Sequence, residues 1–234
     1  MLIQKSDIVG ILRSIARQNC DYTLLRPETL IEQPSAYRDV DLCMPPKVAP
    51  EFIRNLTTYA QAKGARVETK RWEPFAIAVT IVQDHAPPIK LDIQTQITWR
   101  GFPVFTYDDI LVNAISKNEI KHIAKQQGDV ATFVKDLFGH GKLDRKGQWW
   151  QQFTHQVQAK PDCYKAILFN HVFMFLTDRL IDRVYRGDRL WIENRKHLLQ
   201  AVFIATQLSR RPVAAVFGHL QWWVMKVGQR TRAR

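Results

Sequence analysis

Asp39 and Asp41 stand one apolar residue apart in the run Arg38-Asp39-Val40-Asp41-Leu42, and further along the chain Asp92 lies between Leu91 and Ile93. Side chains on a strand alternate with a period of two. Asp39 and Asp41 therefore project from one face, and Asp92 projects away from the face that Leu91 and Ile93 bury. If the two segments are neighbouring strands, the three carboxylates gather at one place. An oxygen-only donor set suits hard divalent cations, Mg2+ or Mn2+, and two such ions roughly 4 Å apart clamp a phosphoryl group during in-line displacement. The three acids are the candidate catalytic residues and metal ligands, and they point to nucleotidyl or phosphoryl transfer. An Asp-x-Asp pair also arises at solvated strand ends and in turns, so the surrounding elements decide between the two.

Those elements follow from local pattern. Tyr22-Thr23-Leu24-Leu25 reads as a strand, 26–38 as a connection holding Pro27 and Pro34, and Val40 to Met44 as a second strand ended by Pro45-Pro46. The segment from Val48 to Lys63 carries Phe52, Leu56, Tyr59 and Ala60 at helical spacing and is closed by Gly64. A strand from Phe75 to Val82, a turn at Asp84 to Pro88 and the strand of Asp92 then form a hairpin. Lys90 and Gln94 share the face of Asp92. The lysine either offsets carboxylate repulsion or contacts phosphate. Trp99-Arg100, after the Asp92 strand, either clamps a base or sugar or closes the edge of the core.

Strand, acid-bearing strand, helix, then an antiparallel pair carrying a third acid resembles the nucleotidyltransferase superfamily typified by DNA polymerase beta. Members share a Gly-Ser turn, an Asp-x-Asp or Asp-x-Glu between apolar residues, and a third Asp on a later strand. Asp39 and Asp41 match the paired acids and Asp92 matches the third. The Gly-Ser is absent, and Leu24-Leu25-Arg26-Pro27-Glu28 stands in its place. The set Leu25 to Glu28, Asp39 to Asp41, Leu91-Asp92 and Trp99-Arg100-Gly101 is similar to nucleotidyltransferase-like proteins of bacterial surface-polysaccharide gene clusters. This resemblance covers roughly residues 20 to 105, and more loosely the helical remainder.

The resemblance implies an α+β fold: a nucleotidyltransferase-like mixed sheet with flanking helices, followed by an α-helical C-terminal region. It further implies a nucleoside triphosphate donor and a sugar or glycan acceptor. Asp39 and Asp41 would hold the metals that bridge the triphosphate, and Asp92 would complete one metal site and position the acceptor hydroxyl. Arg26 would replace the missing phosphate clasp by charge, and Arg38, Lys90, Trp99 and Arg100 complete the candidate substrate-binding set. Two other readings stay open. One is a catalytically silent binding or scaffold protein on the same fold, which the missing Gly-Ser favours. The other is a metal-dependent glycosyltransferase using Asp-x-Asp, although the preceding nucleotide-binding βα repeats are lacking.

Composition sets the frame. At 234 residues and 46% hydrophobic the chain can bury a full core. Cys20, Cys43 and Cys163 form no Cys-x-x-Cys, and an odd count without a signal peptide predicts core thiols in a cytoplasmic protein. The first twenty residues pattern as an amphipathic helix, and no apolar run reaches the ~18 residues of a membrane span. A division near Gly101-Phe102-Pro103 predicts a catalytic domain over 1–105 and a helical domain over 106–234. Helices are expected at Asp108 to Gln126, Val130 to Phe138, Gln148 to Gln158, Tyr164 to Tyr185, Leu190 to Ser209 and Val213 to Val227. Gly139-His140-Gly141-Lys142 is too short for a P-loop. His171, set among phenylalanines, reads as a core histidine rather than a metal ligand.

Charge is concentrated at the end. No acid follows Glu193, and eight of the net twelve positive charges lie beyond it, among them Arg210, Arg211, Lys226, Arg230, Arg232 and Arg234. Val213, Val216, Phe217, Leu220, Trp223, Val224 and Val227 make one apolar stripe on the last helix. Three readings stay open for residues 210–234. The stripe packs on the core, or the helix lies on an anionic membrane with Trp222 and Trp223 at the interface, or the basic end contacts nucleic acid. The second would make the protein peripheral to a membrane.

Overall fold

The computed structural model describes residues 3, 7, 10–13, 22–25, 39–117, 120–143 and 149–232, and the side chains of 39, 72, 117 and 230–232 lie outside that description. Two compact units emerge. One comprises Met1–Ile97 and Thr106–Ala124, the other Thr98–Phe105 and Lys125–Arg234.

Alternation builds the first unit. Strands β1 (Thr23–Leu24), β2 (Asp39–Cys43), β3 (Arg66–Glu73), β4 (Ala76–Val82), β5 (Ile89–Gln94), β8 (Ile115–Lys117) and β9 (Ile120–His122) form one mixed sheet in the order β3-β4-β5-β2-β1-β9-β8. Antiparallel pairs join β3 to β4, β4 to β5, β1 to β2 and β8 to β9, while β2 pairs with β5, and β1 with β9, in parallel. Val40 and Leu42, Leu91 and Ile93, and Val79 and Ile81 turn to one face and are buried there. Helix α1 (Ala49–Ala62) covers that face with Phe52, Leu56 and Ala60, all fully buried in the same core. Each such apolar side chain removed from water contributes about 1.5–3 kcal/mol for the larger residues. Pro50 opens α1, where no amide is needed, and Gly64 (φ 74°) closes it in the left-handed region, with the Ala65 amide donating to the Ala60 carbonyl at 2.9 Å. Asp7 and residues 10–13 are helical, and Leu12 is buried in the same core.

Two parts of this unit depart from the sequence reading. Strand β3 was not anticipated: it is a charged edge strand in which Val67, among the described side chains, packs on the core, so apolar alternation is weak there. The helix expected over Asp108 to Gln126 is instead a short helix α2 (Tyr107–Val112) followed by β8 and β9. Thr106 and Asp109 form a reciprocal capping box that starts α2, with the Thr106 amide donating to Asp109 Oδ2 at 2.8 Å. Ile120 then enters the sheet core, which favours the β form over continued helix.

The second unit is helical apart from the turn and inner residues of a hairpin, Thr98–Phe105. Strands β6 (Gln96–Trp99) and β7 (Phe102–Thr106) are joined by Arg100 and Gly101, both at positive φ (51° and 82°), as a two-residue turn matching strand twist requires. Helices α3 (Lys125–Val134), α4 (Trp149–Ala159), α5 (Pro161–Ile167), α6 (Thr177–Tyr185), α7 (Arg189–Asn194), α8 (Lys196–Arg210) and α9 (Pro212–Arg232) follow, and π-helical turns Lys135–His140 and Leu168–Val172 extend α3 and α5. Phe133 stacks on Phe153 at 5.4 Å, and the Tyr164 hydroxyl donates to Asp129 Oδ2 at 2.5 Å. The continuous helix expected from Tyr164 to Tyr185 is broken at 173–176, where Leu176 takes φ 69°. Side chains of α8 satisfy the backbone freed by the break. Thr206 accepts from the Met174 amide at 3.0 Å, and Gln207 and Arg210 donate to the His171 and Asn170 carbonyls, each at 2.6 Å.

Helix α9 corrects the reading that its apolar stripe packs on the core. Ala215 and Gly218 are the buried positions, and the stripe is exposed. A methyl group on Gly101 would lie 2.1 Å from the Gly218 carbonyl oxygen, so only glycine permits the hairpin turn to approach the helix this closely. The close approach at Gly218, not the apolar stripe, marks the attached face.

Candidate functional site

Asp41 and Asp92 lie on the sheet face opposite the packed core. Across the parallel β2–β5 pair, Asp41 is directly opposite Asp92, and Asp39 is opposite Lys90. Neighbouring strands are about 4.8 Å apart, so two carboxylates in register share one patch of surface. Both Asp41 and Asp92 are half-buried and Lys90 is exposed. Gln94 registers opposite Cys43 on the same face.

Strand β4 forms the floor beside them. Ala76, Ala78 and Thr80 register opposite Gln94, Asp92 and Lys90, so only small side chains flank the acids on that side. Sequence reasoning did not single out these residues. The signal was present in Ala76-Ile77-Ala78-Val79-Thr80-Ile81, where small residues alternate with branched ones. The opposite flank is closed by β1. Thr23 registers opposite Cys43 and is fully buried, and Leu25, the last described residue before Arg26, donates its amide to the Asp41 carbonyl at 3.0 Å. Arg26 and Arg38 lie outside the described residues.

The donor chemistry on this face is oxygen. Cys43 also belongs to it, and burial pushes its thiol up to about 12. Among the described residues no three His, Cys, Asp or Glu side chains form a metal-binding group, and the third acid of the expected set, Asp39, has its side chain outside them. The expectation of core thiols holds for buried Cys43. Cys163 instead lies exposed on α5.

Trp99 and Arg100 belong to the second unit. Trp99 is 9% exposed and packs against Phe138 and Phe203 at 5.1 and 6.0 Å, while the Arg100 guanidinium lies over its indole at 4.9 Å. Aromatic packing and a cation-π contact thus occupy both groups within that unit. His171 sits 5.0 Å from the Phe105 ring, and Gly141 (φ 71°) caps the π-helical turn after α3, with Lys196 Nζ close against it.

The sequence matches no protein-family model and no curated protein. Two solved structures from Helicobacter pylori are similar at low level. The protein JHP933 gives a TM-score of 0.37 at 10% identity, over 99% of this chain and 97% of that one. A protein provisionally named a nucleotidyltransferase gives a TM-score of 0.35 at 11% identity, over 82% of this chain and 91% of that one.

Proposed function

We propose that the acid-bearing sheet face is the active site of a divalent-metal-dependent transferase, which moves a nucleotidyl or related phosphoryl group from a nucleoside triphosphate to an acceptor hydroxyl. The observation that supports this reading is the register of β2 with β5, in which Asp41 is opposite Asp92 and Asp39 precedes on the same face. Asp39, Asp41 and Asp92 would hold Mg2+ or Mn2+. Bound there, the metal supplies charge neutralisation on the triphosphate and alignment of the leaving pyrophosphate. Asp92 orients the acceptor hydroxyl and takes its proton as the new ester bond to phosphorus forms. Lys90, two residues before Asp92 and opposite Asp39, contacts phosphate oxygens, and Arg26 and Arg38 supply further positive charge to them. The small side chains of Ala78 and Thr80 leave room for the substrate. A sugar or glycan-intermediate acceptor rests on the sequence resemblance alone.

A second reading has one specific observation behind it. Leu25-Arg26-Pro27 replaces the Gly-Ser turn, which favours a silent nucleotide-binding scaffold. Thermal unfolding of the full chain with each common nucleoside triphosphate, with and without Mg2+ or Mn2+, tests both. The transferase reading expects metal-dependent stabilisation together with pyrophosphate release when an acceptor is supplied. Stabilisation without turnover favours the scaffold, and no stabilisation by any triphosphate contradicts both.

A further inference from the structure

Helix α9 presents two unlike faces. One is attached to its own unit: Ala215 and Gly218 are buried, His219 Nδ1 lies 2.9 Å from the Arg100 carbonyl oxygen, and the His219 ring stacks on Phe102 and Trp222 at 4.8 and 5.8 Å. Ala215, Gly218, His219 and Trp222 follow i, i+3, i+4, i+7 and form one side of the helix. The apolar stripe from Val213 to Val227 follows the same spacing on the opposite side. Phe217, Trp223 and Val224 in it are 63%, 56% and 61% exposed. At 1.5 Å per residue the stripe runs about 20 Å along the helix, a continuous apolar surface that water solvates poorly.

Charge and geometry select what covers it. Residues 194–234 hold no acid, and Arg210, Arg211, Lys226, Arg230 and Arg232 lie on or beside α9. A second copy of the chain would set these like charges against each other in either orientation, which disfavours self-pairing. The complementary surface is anionic and apolar at once. Because α9 is held along its opposite side, a groove that wraps a helix would meet the β6–β7 hairpin, whereas a flat surface reaches the outward arc directly.

We propose that α9 is an interfacial membrane-binding helix: the Val213–Val227 stripe lies in the headgroup region of an anionic bilayer and the basic residues of its C-terminal end, Arg230 and Arg232, meet lipid phosphates. Exposed Trp223 suits the interface by its amphipathic ring. This attachment is independent of the acid-bearing face and stands or falls separately from it.

Co-sedimentation of the full chain with phosphatidylcholine vesicles, with and without phosphatidylglycerol, tests the proposal. Binding is expected only to vesicles containing phosphatidylglycerol, at low salt, with release as screening rises. Phe217→Ser combined with Trp223→Ser should lower the partition coefficient at least about tenfold at unchanged unfolding temperature, because both side chains are already largely in water. Arg230→Gln combined with Arg232→Gln leaves the stripe intact and should shift release to lower salt, so the charge component is tested even if the serine variant fails to fold. The proposal is overturned by any of four results: no vesicle binding by the wild type, equal binding by a folded serine variant, a dimer that the serine variant dissociates, or stripe-dependent retention on polyglutamate or RNA without vesicle binding.

Discussion

Gly101 and Gly218 meet backbone to backbone: the α-carbon of the hairpin glycine lies so near the helix that an added methyl would stand 2.1 Å from the Gly218 carbonyl oxygen. The contact fixes the face by which α9 joins its unit, and so leaves the apolar stripe outward. Gly101 also needs its left-handed backbone, and Arg100 beside it shares that conformation.

Gly101→Ala is therefore expected to destabilise the protein by about 2–4 kcal/mol, combining left-handed strain with overpacking. Gly64→Ala provides the control. Gly64 has a similar positive φ of 74° but nothing within 4 Å of the added carbon, so its cost should be only about 1 kcal/mol. Denaturant unfolding of the two variants measures the difference, and equal losses would mean the hairpin–helix contact has little weight.

Alkaline stability should depend on Cys43. Burial raises its folded pKa to about 12 from an ordinary value of 9.0. Between these values the unfolded state releases the thiol proton and the folded state keeps it, so stability is intact below pH 9 and falls as pH rises toward 12. Tyr22, raised by burial to about 12, adds to the same limb above pH 10. Cys43→Ala should flatten the fall between pH 9 and 12 by up to about 1.4 kcal/mol per pH unit. Unfolding midpoints across that range check it, and an unchanged slope would show that the thiol is solvated.

Arg26→Ala should weaken triphosphate binding by about 1–3 kcal/mol, the range for a charged hydrogen bond, and Arg26→Lys should restore only part of it. Titration calorimetry decides this. Normal binding by the alanine variant would remove Arg26 from the site.

Much of the first unit was legible in the sequence because its patterns are local. Val40, Leu42, Leu91 and Ile93 alternate cleanly with Asp39, Asp41 and Asp92, and this alternation places the acids on the face away from the core. The period of Phe52, Leu56 and Ala60 locates α1. What escaped depends on distant partners or on very short segments. Strand β3 is charged and, among the described residues, paired along one edge, so its apolar alternation is weak, and β8 and β9 have three residues each, too few to establish a period. The break before α6 is held by Thr206, Gln207 and Arg210, more than thirty residues downstream. In α9 the period of the stripe was read correctly but not its direction, since hydrophobicity cannot say which face a neighbour will reach. Gly218 and His219 decide that, and their partners are in the hairpin.

The most direct test of the acid-bearing face is a titration of nucleoside triphosphate, with and without Mg2+, into the wild type and into Asp41→Asn and Asp92→Asn. A nucleotide site there predicts metal-dependent binding by the wild type and at least about tenfold weaker binding by each variant. Unfolding temperatures should be unchanged or slightly higher, because each substitution removes one of two facing negative charges. Variants that bind metal and triphosphate as the wild type does, or that unfold, would contradict it and make Asp41 opposite Asp92 a purely structural pair.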